Sequence, residues 1–192
     1  MTFVSIVLAA GSARRFGSDK LSVRFRGEPL IRHAIRAARA APVERVIVVC
    51  SQTLDVGEWD GSPPVSTLRI SSEALSRSLK AGVGQAGGAD GAFIFLGDMP
   101  LVPHDIAGRL AQVLGESFAA VPKHEGKTGH PVLIASRAFP AISRLEGDQG
   151  AGGMLRSRSD VAELDIADPG ILLDVDRGED LARLEGWKGA GE

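Results

Sequence analysis

The residues best suited to chemistry open the chain: Leu8-Ala9-Ala10-Gly11-Ser12-Ala13-Arg14-Arg15-Phe16-Gly17-Ser18-Asp19-Lys20, small residues running into a cluster of cations. Small side chains let a backbone come close to a ligand. N–H groups exposed in such a turn form an anion-binding nest. Arg15 can fork onto phosphate oxygens, and Lys20 supplies a compact point charge. The loop lacks the Gly-Lys-Ser/Thr of a Walker A motif. It also lacks the third glycine of a dinucleotide fingerprint, having only Gly11 and Gly17. The alternative is an ordinary strand-to-helix turn carrying surface cations.

Carboxylates form the second set. Asp98, in Gly97-Asp98-Met99-Pro100, follows a buried strand, at the end where open α/β sheets bind ligands. Mg²⁺ is held by one or two carboxylates plus substrate phosphates, so Asp98 is a candidate metal ligand. Alternation along Asp174-Val175-Asp176 points both acids to one face, where one of them could complete the site. A compatible alternative makes Asp176 a helix N-cap, with Glu179 closing a capping box. Two Gly-bounded turns hold His130 (Gly129-His130-Pro131) and Asp148 (Gly147-Asp148-Gln149-Gly150), and neither names a reaction. His104 and His124 have no partner at ligand spacing, so zinc is not expected.

The elements that position these residues follow from hydrophobic periodicity. Phe3–Ala10, Arg45–Cys50 and Ala92–Leu96 are continuous apolar runs, as in strands buried on both faces. Helices are predicted over Pro29–Ala41, Glu73–Ala86, Pro103–Gly115, Ser136–Leu145, Ala151–Ser157 and from about Gly178. Leu30, Ile31, Ala34, Ile35 and Ala38 line the inner face of the first. Arg32, Arg36 and Arg39 would form its solvated side, with His33 structural. Further strands are expected at Phe118–Val121, Pro131–Ala135, Ala162–Ile166 and Ile171–Val175. The stretch Gln52–Pro64 reads as loop and Lys123–Gly129 as a polar turn. Strands alternating with helices imply a three-layer, Rossmann-like α/β fold with a mostly parallel, mixed sheet. One domain over 1–187 is expected, with a flexible Gly-rich tail at 188–192.

Composition narrows the function classes. A net charge of −2 offers no general attraction for nucleic acid or an anionic membrane. No segment approaches the roughly 18 apolar residues of a membrane helix. The apolar N-terminus lacks a basic n-region and runs straight into a Gly-rich turn, as a first strand does rather than a signal peptide. Cytoplasm is the default expectation. The one cysteine, Cys50, closes a buried strand and reads as core.

At these residues the sequence resembles the MobA-like NTP transferases, within the nucleotide-diphospho-sugar transferase fold. Leu-Ala-Ala-Gly followed by Arg15, Gly17 and Lys20 carries the resemblance, with Leu96-Gly97-Asp98-Met99-Pro100 matching the family's metal-binding segment. Asp176 resembles its second carboxylate, and Ser76 and Ser78 its nucleotide-contacting serines. Within the family, Ala10 and the segments around His130 and Asp148 look most like molybdenum cofactor cytidylyltransferases. The sequence departs from that branch at Gly152, where an arginine contacting the acceptor phosphate would be expected.

The resemblance implies a Mg²⁺-dependent nucleotidyltransferase. Nucleotide binding would fall to Leu8, Ala9, Ala10, Gly11, Ser12, Ala13, Arg15, Lys20, Ser76 and Ser78. Arg15 and Lys20 would be catalytic, Asp98 and Asp176 would hold the metal, and His130 and Asp148 would meet the acceptor. It implies CTP in preference to GTP, a molybdopterin-type acceptor, and a molybdenum hydroxylase apoenzyme as a partner. The alternatives are a guanylyltransferase or a sugar- or polyol-phosphate transferase, an NAD(P)-dependent reductase, and a non-catalytic cofactor-insertion protein.

Overall fold

The structure, a computed structural model, describes residues 1–11, 20–71, 74–147 and 149–187. The expectations for Ser12, Ala13, Arg15, Glu73, Asp148 and the 188–192 tail lie outside the described residues.

Strand β1 (Phe3–Ala9) is buried at every position. It pairs in parallel with β4 (Val46–Cys50) on one side and β6 (Gly91–Leu96) on the other. A strand paired on both edges and covered on both faces needs apolar side chains throughout. The polar exception, Ser5, donates its hydroxyl to the Ala38 carbonyl at 2.9 Å. Beyond β4 lies β5 (Val65–Arg69), also parallel. On the far side of β6, β9 (Val132–Ala135) runs antiparallel, followed by β7 (Ala119–His124) and β10 (Val161–Asp165). The short β8 (Lys127–Thr128) folds back on β7, so the expected polar turn is the tip of a hairpin. A separate ribbon joins β2 (Arg24–Phe25) to β3 (Glu28–Pro29). The expected mixed, mostly parallel sheet is thus observed.

Helices cover both faces. On one, α1 (Leu30–Ala40), α3 (Ile106–Val113) and α6 (Gly178–Glu185) share a core with Val7, Val48, Phe93 and Phe95. On the other, α2 (Leu75–Gly84), α4 (Phe139–Ile142) and α5 (Ala151–Arg156) share one with Ile6, Val49 and Ile94. Odd and even residues of each strand feed opposite cores, as a pleated strand requires. The inner face of α1 is the one the spacing predicts, with Ala37 added.

The arginines of α1 do more than face solvent. Arg32 and Arg39 lie over the Trp59 ring. Arg39 also donates to the Pro63 and Asp60 carbonyls, and Arg36 pairs with Glu28. Arg32 and Arg39 thus pin the 52–64 loop to the helix. His33 Nε2 bonds the Phe25 carbonyl at 2.9 Å, a structural contact.

Two further differences matter. Strand β5 has no counterpart in the sequence reading, because it is a half-exposed edge with Ser66, Thr67 and Arg69 outward. The strand expected at Ile171–Val175 is instead a 3₁₀ turn, Pro169–Leu172, followed by extended chain. Asp168 accepts the Gly170 N–H at 2.7 Å and starts that turn. The amides and carbonyls that follow go to single distant partners. His130 N–H donates to the Ile171 carbonyl at 2.9 Å, and Val175 N–H to the Asp98 carbonyl at 3.0 Å. No ladder forms. Among the described residues, no helix is long and apolar enough to cross a membrane.

Candidate active site

The register of the central strands sets the site. Leu8 pairs with Leu96, and the Gly97 N–H extends the ladder to the Leu8 carbonyl at 2.9 Å. Asp98 therefore emerges beside Ala9 and Ala10, at the C-terminal edge of the sheet. Gly97 is confined there: a Cβ would lie 2.9 Å from Ile31 Cδ1 and 3.2 Å from the Leu8 carbonyl. Buried Met99 holds the turn from below.

The 170s segment delivers two more carboxylates. Val175 is fully buried and its N–H is tied to Asp98, so its neighbours Asp174 and Asp176 are both left outward. Asp98, Asp174 and Asp176 each offer an oxygen, all within 4.8 Å of one another. The sequence reading takes Asp176 as the ligand; Asp174 joins the cluster from the same segment. Asp176 is not a helix N-cap. The cap position of α6 is Arg177, and Asp180 performs the capping expected of Glu179. Its carboxylate accepts the N–H groups of Asp176 and Arg177 at 3.0 and 2.8 Å. Helix α6 begins one residue later than that expectation, which puts Asp180 at its third position.

Lys20 stands among these acids. A 3₁₀ turn, Lys20–Ser22, is anchored by buried Leu21. Lys20 Nζ donates to Asp98 Oδ2 at 2.8 Å, to the Val175 carbonyl at 2.7 Å and to Asp176 Oδ1 at 3.2 Å. Burial opposes its charge, but Asp98 and then Asp176 outweigh this, and its pKa is raised. Asp174 is exposed at its outer edge, but partial desolvation, then Asp176 and Asp98, push its carboxyl up, with Lys20 pulling the other way. One ammonium does not neutralise this acidic cluster. A hard, oxygen-preferring divalent cation fits the donor set, and the Lys20 ammonium already stands as a cation among those oxygens.

Beside the cluster is a cavity of about 260 Å³, with Leu8, Ala9, Ala10, Gly11, Ser78 and Asp98 in its wall. Leu21 and Leu75 complete an apolar flank that sequence reading did not single out; the position of Leu75, directly before Ser76, was the available signal. Ser78 lines this cavity, its hydroxyl 3.4 Å from the Ala74 carbonyl. Ser76 is buried, with its N–H on the Gly147 carbonyl at 3.2 Å.

His130 faces a different space, of about 570 Å³, shared with Gly152. Its Nδ1 meets the Ile94 carbonyl at 3.2 Å. A carbonyl only accepts, so in the neutral ring Nδ1 carries the proton and Nε2 the lone pair. Burial is the main reason the imidazole pKa is lowered, against the opposing pull of Ile94 and Asp98.

The chain as a whole is similar to known proteins. Purine catabolism protein PucB of Bacillus subtilis is 30% identical, the match covering 92% of this chain and 93% of that protein. A probable molybdenum cofactor guanylyltransferase of Pyrococcus furiosus is 31% identical, over 95% of this chain and 96% of its own length. The solved structure of Rv0371c from Mycobacterium tuberculosis H37Rv superposes with a TM-score of 0.84 at 24% identity, covering 97% of this chain and 98% of that one. A manganese complex of Rv0371c superposes at 0.77, with 25% identity and coverage of 96% and 98%. Residues 5–162 match the MobA-like NTP transferase domain, and the chain belongs to that family of nucleotidyltransferases.

Proposed function

We propose that the protein transfers CMP from CTP to the phosphate of a molybdopterin-type acceptor, releasing pyrophosphate. The observation that carries this reading is the convergence of Lys20, Asp98, Asp174 and Asp176 at the rim of the β1 cavity. An acceptor phosphate oxygen would attack the α-phosphorus, forming one P–O bond as the bond to the β-phosphate breaks. Such transfer depends on positioning and charge stabilisation rather than on a side-chain nucleophile. Asp98 and Asp176 would hold Mg²⁺, which when bound supplies charge neutralisation at the α-phosphate.

The chain's own groups do the rest. The backbone from Ala10 through Gly11, Ser12 and Ala13 would cradle the triphosphate. Arg15 and Lys20 would meet the charge growing on the departing pyrophosphate. Ser76 and Ser78 would lie on the nucleoside side, with His130 and Asp148 on the acceptor side.

CTP is favoured by Ala10, whose methyl group narrows a cavity already walled by Leu8 and Leu75, a fit for a pyrimidine over a purine. GTP is the second reading, and the name of the P. furiosus relative favours it. The PucB name points to purine breakdown, where ring oxidation is chemistry that molybdenum hydroxylases perform, so such an apoenzyme is the partner class proposed for the product. The test is pyrophosphate release with molybdenum cofactor, Mg²⁺ and either CTP or GTP. Turnover with CTP at least about tenfold above GTP supports the reading; the reverse ratio selects the guanylyltransferase. No turnover with either removes the proposal. Ala10→Gly should move the ratio toward GTP.

A further inference from the structure

The larger cavity, of about 570 Å³, opens between the β7–β8 hairpin and helix α5. It adjoins the carboxylate centre through His130, which lines it and is bonded to the Ile94 and Ile171 carbonyls, in the segments that lead to Asp98 and Asp174. Four cations border it, and they are not equivalent. Lys123 is paired with Glu163 at 2.6 Å. Arg158 is held by both oxygens of Asp160, at 2.7 and 2.6 Å, and lies over the Phe118 ring. Lys127 and Arg156 have no carboxylate partner among the described residues. Arg156 folds back one helical turn, its Nε donating to the Gly152 carbonyl at 3.2 Å. That bond leaves both terminal guanidinium nitrogens without a partner among the described residues. Gly152 itself has open space where a Cβ would be.

The cavity therefore presents two uncompensated cations, and a lone-pair acceptor on His130 Nε2. An electroneutral or cationic ligand has no use for the first, and a ligand without an N–H or O–H has none for the second. Resting on the nucleotidyl-transfer reading, we infer that this cavity takes the part of the acceptor beyond its reacting phosphate. It selects a ring N–H or O–H donor against His130 and a second anionic group between Lys127 and Arg156. A molybdopterin has both, in its aminopterin ring and its anionic dithiolene. A sugar or polyol phosphate has hydroxyl donors but no second anionic group.

The test uses the 192-residue chain and the exposed pair Lys127→Gln/Arg156→Gln. Binding of molybdenum cofactor is followed by pterin fluorescence, and initial rates give KM for acceptor and nucleotide separately. The double variant should weaken cofactor binding and raise acceptor KM by about tenfold or more, the scale of losing charge-assisted hydrogen bonds. Nucleotide KM should stay within about twofold. Arg158→Gln, whose cation is already spent on Asp160, should change acceptor affinity far less. Unchanged cofactor affinity in the double variant, a wild type that does not bind the cofactor, or an equal loss in Arg158→Gln would overturn the inference. So would a raised nucleotide KM, which would assign the cavity to the nucleotide. If the binding pattern holds while neither CTP nor GTP turns over, nucleotidyl transfer falls and the cavity assignment stands.

Discussion

The ammonium of Lys20 lies 2.8 Å from Asp98 Oδ2, on the same oxygens that a divalent ion would use. Lys20 is largely buried there, with 14% of its side chain exposed. Two cations crowded onto one small set of oxygens repel each other strongly at low dielectric. Lys20 and a metal should therefore compete in the nucleotide-free protein, and a triphosphate should relieve the competition by offering Lys20 another anion. Lys20→Met should raise the affinity of the free protein for Mn²⁺ by about tenfold, read by electron paramagnetic resonance titration. The same variant should lose about 100-fold in turnover. Weaker Mn²⁺ binding in the variant would count against the competition.

The three acids should differ in weight. Asp98 is fixed by the Gly97 turn and bonds Lys20, so Asp98→Asn should lower turnover by about 100-fold or more. Asp174 makes no bond to Lys20 and has its carboxyl pushed up by partial desolvation, so Asp174→Asn should cost less, about tenfold. Chelation should abolish turnover, and added Mg²⁺ should restore it. Asp98→Ala with parental turnover would remove the metal assignment.

Gly129 joins the two halves of the site, because its segment rests on the 170s chain that carries Asp174 and Asp176. A Cβ on Gly129 would collide with the Ile171 carbonyl, and it would lie 2.9 Å from Ile171 Cβ. Backbone on one side and a branched side chain on the other leave little room to yield. Gly129→Ala should destabilise the fold by about 2–4 kcal/mol, a fall in Tm of about 5–10 °C. Gly153→Ala, inside α5 and with open space around its Cβ position, should instead be neutral or stabilising by up to about 1 kcal/mol. Calorimetry on the two variants separates local crowding from a general intolerance of substitution.

How much of this was legible in the sequence depends on the range of the forces involved. Strand β1 was legible because burial on both faces demands an unbroken apolar run. Strand β5 was not, because Ser66, Thr67 and Arg69 face outward and alternation over five residues is weak. The run Ile171–Val175 looked like a strand for the same reason β1 did, but its backbone partners are Asp98 and His130, which no local pattern announces. Asp98 and Asp176 could be proposed as metal ligands from their neighbours in sequence, and the fold brings their carboxylates together. The bond from Lys20 to the Val175 carbonyl spans 155 residues and exists only once the sheet has formed. Lys127 and Arg156 carried no signal of their own beyond proximity to Gly129 and Gly152.

Asp180 provides the last prediction, and it concerns pH. Its carboxylate accepts the N–H groups of Arg177 and Asp176 at the start of α6. Those bonds, with Arg183 and Arg177 nearby, lower its pKa below the ordinary carboxylate value. A carboxyl with a lowered pKa binds its proton less readily when folded than when unfolded. Its contribution is thus complete above the unfolded pKa, near 3.9 for an aspartate, and is lost as pH falls through the lower folded value. Asp180→Ala should cost about 1 kcal/mol at pH 7, the usual scale for losing a helix cap. The gap between parent and variant, measured by urea unfolding, should hold from pH 7 to about 5 and narrow below about 4. A gap that widened on acidification would mean that the carboxylate is not what caps α6. Because Asp180 also holds the Asp176 N–H, the variant should loosen that acid and raise the Mg²⁺ needed for half-maximal turnover.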